Sequence, residues 1–354
     1  MISKLRLLNF RNFEEKLLEF SDSTTVIVGP NASGKTNILE SLFLLSSGKS
    51  FHARLEEEMV NQTAEIAHVK ARLKNGEARD LEVILTRGVI SGVSGKIARK
   101  KFLVNNIARR MIDFAGNAKM VLFVPADMDL VTQSPSRRRK FLDFALSQID
   151  REYRRSLLSY EKGLRQRNRL LYRIREESLS RNQLLFWNQL LIKNGNYLSD
   201  CRAKFIDFIN QTQPLGKLKF NLEYDKSAIS ESRLEEYANE EVATATTLVG
   251  PHRDDFVFEG LSESERQVQY RDLSSFGSRG EQRMAILWLK LAELAYIKQS
   301  TDQMPTLLLD DIFSELDKKH RKQVMEVAKA HQSIITTADP HFLQEYKNLD
   351  KIQL

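Results

Sequence analysis

The chain has 354 residues, 42% of them hydrophobic, enough for one large or two ordinary domains with a packed core. A single cysteine, Cys201, excludes an internal disulfide. No run approaches the ~20 apolar residues of a membrane span, and the N-terminus lacks the apolar segment of a signal peptide, so a reducing cytoplasm is the expected setting. The net charge of +7 hints at a polyanionic partner, a weak signal by itself.

Residues 2–8 read as a strand, 9–13 as a turn, and a second strand ends near Phe20. Residues 24–28 are β-branched and apolar, as a buried strand needs. They run into Gly29-Pro30-Asn31-Ala32-Ser33-Gly34-Lys35-Thr36, which fits the phosphate-binding loop pattern G-x-x-x-x-G-K-[ST]. Ile38, Leu39, Leu42, Phe43 and Leu45 follow at helical spacing. Strand, glycine-containing loop and helix together aim a helix N-terminus at an anion, with Lys35 reaching the terminal phosphates and the Thr36 hydroxyl serving Mg2+. A nucleoside triphosphate site is therefore the starting point.

Residues 66–104 alternate apolar and polar in short runs broken by glycines, which predicts an antiparallel meander. Its cations Lys96, Arg99, Lys100 and Lys101 either blunt an exposed sheet edge or touch phosphates. Residues 119–124 form another apolar strand, closed by Pro125. Ser134 and Pro135 then predict a helix start, serine as N-cap and proline at the first position. Arg137, Arg138, Arg139 and Lys140 crowd that first turn against the helix dipole, a local cost that a nearby anion offsets.

Two helical seams come next. Tyr153, Leu157, Tyr160, Leu164, Leu171 and Ile174 keep three-four spacing, interrupted by Arg167; Leu184, Trp187, Leu191, Leu198, Cys201, Phe205 and Phe208 form the second, with Asn194 at one seam position. A polar turn at 177–182 joins them into an antiparallel hairpin. Between positions 151 and 181, ten Lys or Arg against four Glu give a net of +6. This is either a solvated face or a nucleic-acid surface, the latter favoured by interleaved Tyr153, Tyr160 and Tyr172.

Residues 216–224 suggest a strand and 227–241 an acidic mobile loop followed by a short helix. His252, Asp254 and Asp255 form one compact cluster without a distant partner, a poor metal-ligand set. Ser278 and Gly280 stand at the mouth of an apolar helix over 284–297 and make a second anion nest, which suggests a nucleotide sandwiched between subunits. A strand over 306–309 delivers Asp310 and Asp311 at its carboxyl end, where open α/β sheets place ligands. Asp310 suits Mg2+ held through water, and Asp311 suits activation of an attacking water. Residues 333–337 form one more buried strand ending in hydroxyls near the same edge.

The order GPNASGKTN, SRGEQR, LLLDDIFSELD resembles the ATP-binding-cassette ATPases of the SMC type. PADMDLVTQSPSRRRKFLD, QRNRLL, GPHRDD and SELD together are more closely similar to the RecF family of DNA replication and repair proteins. The resemblance implies an α/β cassette-type P-loop ATPase head, a mixed sheet with helices, assembled from residues 1–125 and 245–354. It also implies an inserted helical arm over 126–244. Residues 29–37, ending in Asn37, would bind ATP, with Arg11 and Asn12 nearby; Thr36 and Asp310 would hold Mg2+, and Lys35 and Asp311 would be catalytic. Ser278, Gly280 and Glu281 would form the signature acting on the partner subunit's γ-phosphate, and Ser314 and Asp317 the loop that bridges the dimer. The DNA-contact candidates are Arg137, Arg138, Arg139, Arg154 and Arg165. Implied partners are double-stranded DNA, single-to-double-strand junctions, a second copy in an ATP-dependent homodimer, and RecO and RecR, which help load RecA. Thr337 stands near a position where many relatives carry histidine, so slow hydrolysis is implied. Ala126, Gln133 and Glu281 depart from the usual family residues. Two alternatives stay open: the ATPase subunit of a transporter, and a DNA-binding module in which ATP is a structural ligand.

Overall fold

The computed structural model describes residues 1–75, 77–95, 97–215, 218–264, 267–315, 318–339 and 349–354. The chain divides into one unit of residues 1–125 and 297–354 and a second of 126–296. The second boundary differs from the expected cut after residue 244. The reason is a pairing that runs back along the chain: the strand after the arm bonds to the one before it and keeps both in the second unit.

In the first unit β1 (Ile2–Phe10) and β2 (Phe13–Glu19) form a hairpin, and β3 (Thr24–Val28) leads into α1 (Lys35–Ser47). The meander follows as β4 (Ile66–Asn75), β5 (Glu77–Thr86), β6 (Lys100–Val104) and β7 (Ile107–Arg109). After the short α2 (Met111–Phe114) comes β8 (Met120–Phe123). The hairpin and meander make one antiparallel sheet in the order β2-β1-β4-β5-β6-β7. Lys100 in this sheet pairs with Glu56 and donates to the Gly48 carbonyl, and Arg99 pairs with Glu57. Lys96 lies outside the described residues.

The second unit holds the short α3 (Asp129–Thr132), then α4 (Pro135–Ile149), α5 (Arg151–Glu177) and α6 (Leu185–Asn210). Beyond these lie β9 (Phe220–Asp225), α7 (Glu231–Glu236), α8 (Ala238–Thr244), β10 (Asp255–Ser264), β11 (Gln267–Asp272), α9 (Leu273–Phe276) and α10 (Arg279–Thr301) as far as Tyr296, its last turn counting with the first unit. Where a mobile loop followed by one short helix was expected, two short helices stand, α7 and α8, and the Ser230 side chain caps α7 by accepting from Arg233 N–H. Ser134 does occupy the N-cap position of α4, but its hydroxyl bonds that of Ser136 rather than the helix backbone.

The predicted hairpin of α5 and α6 is present, with its packing set by smaller and more polar residues than expected. Tyr153, Ser156, Tyr160, Gly163, Arg167, Leu171 and Ile174 are buried on α5, while Leu157 and Leu164 are only half-buried. A Cβ at Gly163 would come within 2.6 Å of Leu190 Cδ2, so the helices approach closely there. Arg167 does not interrupt the seam; it enters it, paired at 2.6 Å with the fully buried Glu241 and bonded to Thr247 and Asn188. Tyr153 and Tyr160 are likewise interior, which removes them from any nucleic-acid surface and leaves Tyr172 exposed.

The chain closes the first unit with β12 (Thr306–Asp310), α11 (Lys318–Lys329), β13 (Ser333–Thr337) and β14 (Asp350–Gln353). These build a parallel sheet, β14-β3-β13-β12-β8. All residues of β3, β8, β12 and β13 are buried, the mark of a parallel sheet covered on both faces. α1 touches strands of both sheets and is buried nearly all round, so it has no solvent face to make polar. Gln332 joins the layers: its amide nitrogen donates to the Ile2 and Ser21 carbonyls, and its oxygen accepts from Ile2 N–H and Thr306 Oγ1.

Candidate nucleotide-binding site

Parallel register decides what meets at the end of the second sheet. β3 ends at Val28 opposite Thr337, and Asp310 stands opposite Thr336, so the phosphate-loop helix and the aspartate pair emerge at one edge. The loop conformation depends on its glycines. Gly34, at the N-cap of α1, has φ 102°, and a Cβ there would lie 2.6 Å from Phe13 Cζ and 2.8 Å from the Asn12 amide. That amide is the loop's clamp: Asn12 donates to Ser33 O at 3.2 Å and accepts from Asn37 at 2.8 Å. Lys35 folds over the loop, its Nζ 2.7 Å from Gly29 O and 2.8 Å from Pro30 O, while Asn31 and Ala32 face solvent. Ala32 adopts φ 65°, a conformation costly for a residue with a Cβ, and held by the surrounding loop.

Thr36 Oγ1 donates to both Asp310 oxygens, at 3.1 and 2.9 Å, joining residues 274 positions apart. Asp310 is buried and accepts a second hydroxyl, that of Thr336, at 2.6 Å. Asp311 turns out of the strand with φ 49°, its N–H shared between the Thr336 carbonyl and hydroxyl. Burial pushes the Asp311 carboxyl above its ordinary range; the Ala338 N–H opposes that shift, the Asp310 charge adds to it, and Lys35 opposes it. A carboxylate raised in this way is better suited to accept a proton. Arg11 forms a bidentate pair with the fully buried Glu40 of α1, at 2.8 and 2.7 Å. The Thr337 hydroxyl bonds the Asp339 backbone, and the hydroxyl that reaches the aspartates is that of its neighbour Thr336.

The RecF/RecN/SMC N terminal domain family matches residues 1–354. The DNA replication and repair protein RecF of Lachnoclostridium phytofermentans is 34% identical over 98% of this chain and 94% of its own length. That of Herpetosiphon aurantiacus is 35% identical over 97% and 96%. This chain belongs to the RecF family. A solved structure of the recombination mediator protein RecF-ATPrS of the RecFOR pathway superposes with a TM-score of 0.86 at 28% identity, covering 100% of this chain and 96% of the other. The RecF-ATP structure gives 0.85 at 29%, covering 96% and 92%. An Smc head domain from Pyrococcus yayanosii, 13% identical with a TM-score of 0.52 over 100% and 95%, shares the fold alone.

The other residues singled out by the RecF resemblance are less uniform. Ser278 and Glu281 form a reciprocal capping box on α10: Ser278 N–H donates to Glu281 at 2.8 Å and Glu281 N–H to the Ser278 hydroxyl at 3.2 Å. Arg271 also bonds Glu281. Burial alone would raise the Glu281 carboxyl, but the Ser278 and Arg271 donors hold it below its ordinary value. The S-x-x-E spacing carried this signal, although the sequence reading took the segment as an open nest. Around Gly280 there is room, a Cβ meeting only Ser278 Oγ at 3.9 Å. Ser314 falls in a 3-10 turn, Ile312–Glu315, and Asp317 lies outside the described residues.

Among the DNA candidates, Arg138 is buried and grips Asp255 at 2.6 and 2.9 Å, with Leu130 and Gln133 carbonyls on its remaining nitrogen. Arg137 pairs with Asp129 and Arg139 donates to Asp254 O. The anions that offset the crowded first turn of α4 are therefore the protein's own. Arg154 donates to Ser147 O, and Arg165 is exposed with no acidic partner among the described residues. The cluster at 252–255 is a hydrogen-bond hub: buried Asp254 accepts from Arg202, Tyr224, Ser199 and Ser227, and His252 accepts from the Tyr160 hydroxyl. Among the described residues no group of three or more His, Cys, Asp or Glu is placed to hold a metal, and no helix is long and apolar enough to cross a membrane.

Proposed function

We propose that this chain is an ATP-hydrolysing DNA repair and replication protein of the RecF type that dimerises on ATP and clamps duplex DNA near single-strand gaps. The observation that carries the reading is the closure of Thr36 onto Asp310 beside Lys35, which assembles the phosphate-binding and acidic parts of one nucleotide site. Lys35 would leave the Gly29 and Pro30 carbonyls to take the terminal phosphates. Thr36 Oγ1 and Asp310 supply only oxygen donors, which fits Mg2+, and they would hold it. Bound there, Mg2+ would neutralise charge on the β- and γ-phosphates. Asp311 would accept a proton from the attacking water as its oxygen bonds the γ-phosphorus and the bond to the bridging oxygen breaks, leaving ADP and phosphate.

The capping box on α10 would open to present Ser278 and Gly280 to the γ-phosphate held by a second copy. Hydrolysis would then be slow, stimulated by DNA, and would release the clamp, with RecO and RecR helping to load RecA at the gap in the cytoplasm. The test is ATP turnover without DNA, with single-stranded DNA and with duplex, across protein concentration. Specific activity rising with concentration and with duplex supports the reading. A rate indifferent to both removes the shared site.

A further inference from the structure

We propose that the Thr336 hydroxyl is the positioning group for both aspartates of the nucleotide site, orienting the metal-binding carboxylate of Asp310 and the backbone of Asp311 through one oxygen. The inference deepens the ATPase reading and rests on it. Thr336 is completely buried on β13, between the strand that ends in the phosphate loop and the strand that ends in Asp310. A hydroxyl has one hydrogen and two lone pairs. Here the hydrogen points at Asp310 Oδ1, 2.6 Å away and much closer than the alternative acceptor Leu309 O at 3.4 Å. A lone pair receives the Asp311 N–H at 3.2 Å. Asp310 Oδ2 is then left to its shortest bond with Thr36, 2.9 Å, which is the pair proposed to hold Mg2+.

Asp311 requires a brace for a second reason. Its φ of 49° lies in the left-handed region, which is unfavourable for a residue with a side chain and persists only where neighbours enforce it. The enforcing contacts include the two from Thr336, carbonyl and hydroxyl, on the same N–H. One side chain thus sets the direction of the carboxylate that faces the metal and the turn that aims the carboxylate that faces water. Outer groups that orient metal ligands commonly change metal affinity or activity 10–100-fold when removed.

Thr336→Val keeps the shape and the β-branched strand preference but deletes the hydroxyl; Thr336→Ser keeps the hydroxyl and deletes the methyl. Binding of a fluorescent ATP analogue is measured across Mg2+ concentration, alongside kcat and KM for ATP. The valine variant is expected to need about 10–100-fold more Mg2+ for half of the metal-dependent tightening, and to lose kcat by a similar factor. Nucleotide binding without metal stays as in the parent, since the loop and Lys35 are untouched. The serine variant is expected to recover both quantities.

A valine variant with parental Mg2+ dependence and kcat overturns the proposal, as does a serine variant as impaired as valine, which would assign the effect to packing. Should the valine variant not fold, Thr336→Ala takes its place in the same comparison. Failure of the ATPase reading is separable, because it is seen in the unsubstituted protein as nucleotide binding that Mg2+ does not tighten.

Discussion

At the scale of single residues an electrostatic conflict lies on α10, where Glu293 is completely buried and neither carboxylate oxygen finds a hydrogen-bond donor among the described residues. Lys290 Nζ sits 3.5 Å from both Glu293 and Asp127, one cation shared loosely by two carboxylates. Burial pushes the Glu293 carboxyl up to about 7, with Lys290 opposing and Asp127 adding to the rise. A carboxyl raised in the folded state stabilises the fold fully below its unfolded value of 4.5 and loses that contribution as pH rises through about 7. His252 acts in the opposite sense: burial lowers it to about 4, so its contribution is present above 6.5 and lost as pH falls toward 4. Comparing Glu293→Gln with the parent removes the histidine from the difference. The variant is expected to gain relative stability from pH 5 to pH 7.5, by on the order of 3 kcal/mol. Urea unfolding at several pH values measures this; a pH-independent difference would mean that Glu293 does not titrate there. Sequence alone showed Lys290 and Glu293 only as polar breaks in an apolar helix. Burial, which creates the conflict, is a property of the packed state. The same limit explains why attention fell on Thr337 rather than Thr336: adjacent strand residues point to opposite faces, and which face carries Asp310 depends on register.

At the scale of elements, the hairpin of α5 and α6 was legible because three-four spacing survives in both helices, yet the identity of the seam residues was not. Spacing favours large apolar side chains, and Leu157 and Leu164 fit it. The structure instead buries Ser156 and Gly163, which allow close approach, and brings in Arg167. An arginine can occupy such a place only if it is fully paired, and its partners come from segments up to 80 positions away: Glu241 and Thr247, with Asn188 from the facing helix. Glu241 is bound on its other side by Leu248 N–H at 2.8 Å, and α8 is fastened to the hairpin here and by Arg175, which donates to the Ala243 carbonyl. Removing the cation alone strands a buried carboxylate, a change that costs about 3–5 kcal/mol. Arg167→Ala is therefore expected to lower unfolding free energy by about that amount, and Arg167→Met with Glu241→Leu to recover most of it. Chemical denaturation of the single and double variants decides the matter. A cost below about 1 kcal/mol for Arg167→Ala would mean that water reaches the pair and that packing, not the ion pair, fixes α8.

At the scale of the whole molecule, the candidate nucleotide site brings together residues from the two ends of the chain, and its parts were legible because they have fixed spacing in short motifs. What the motifs do not carry is strand order. β10 and β11 fall in the arm unit, β10 pairing with β9 and β11 with β10, whereas the sequence pattern placed them with the head. The proposed cycle has two separable halves, ATP-dependent assembly and hydrolytic release, and Asp311→Asn divides them. Asparagine tolerates the left-handed backbone better than most residues, so the φ of 49° and the bonds from its N–H to Thr336 are expected to persist. The amide cannot take the proton of the attacking water, and loss of such a base typically slows reaction about 10²–10⁴-fold. Nucleotide binding should remain, because Lys35, Thr36 and Asp310 are unchanged. With ATP the variant is then expected to stay dimeric and DNA-bound long after the parent has dissociated, as followed by light scattering and by release of labelled duplex. Prompt release by a variant that no longer hydrolyses ATP would show that nucleotide exchange, not hydrolysis, opens the clamp, and would leave ATP as a structural ligand of a DNA-binding dimer.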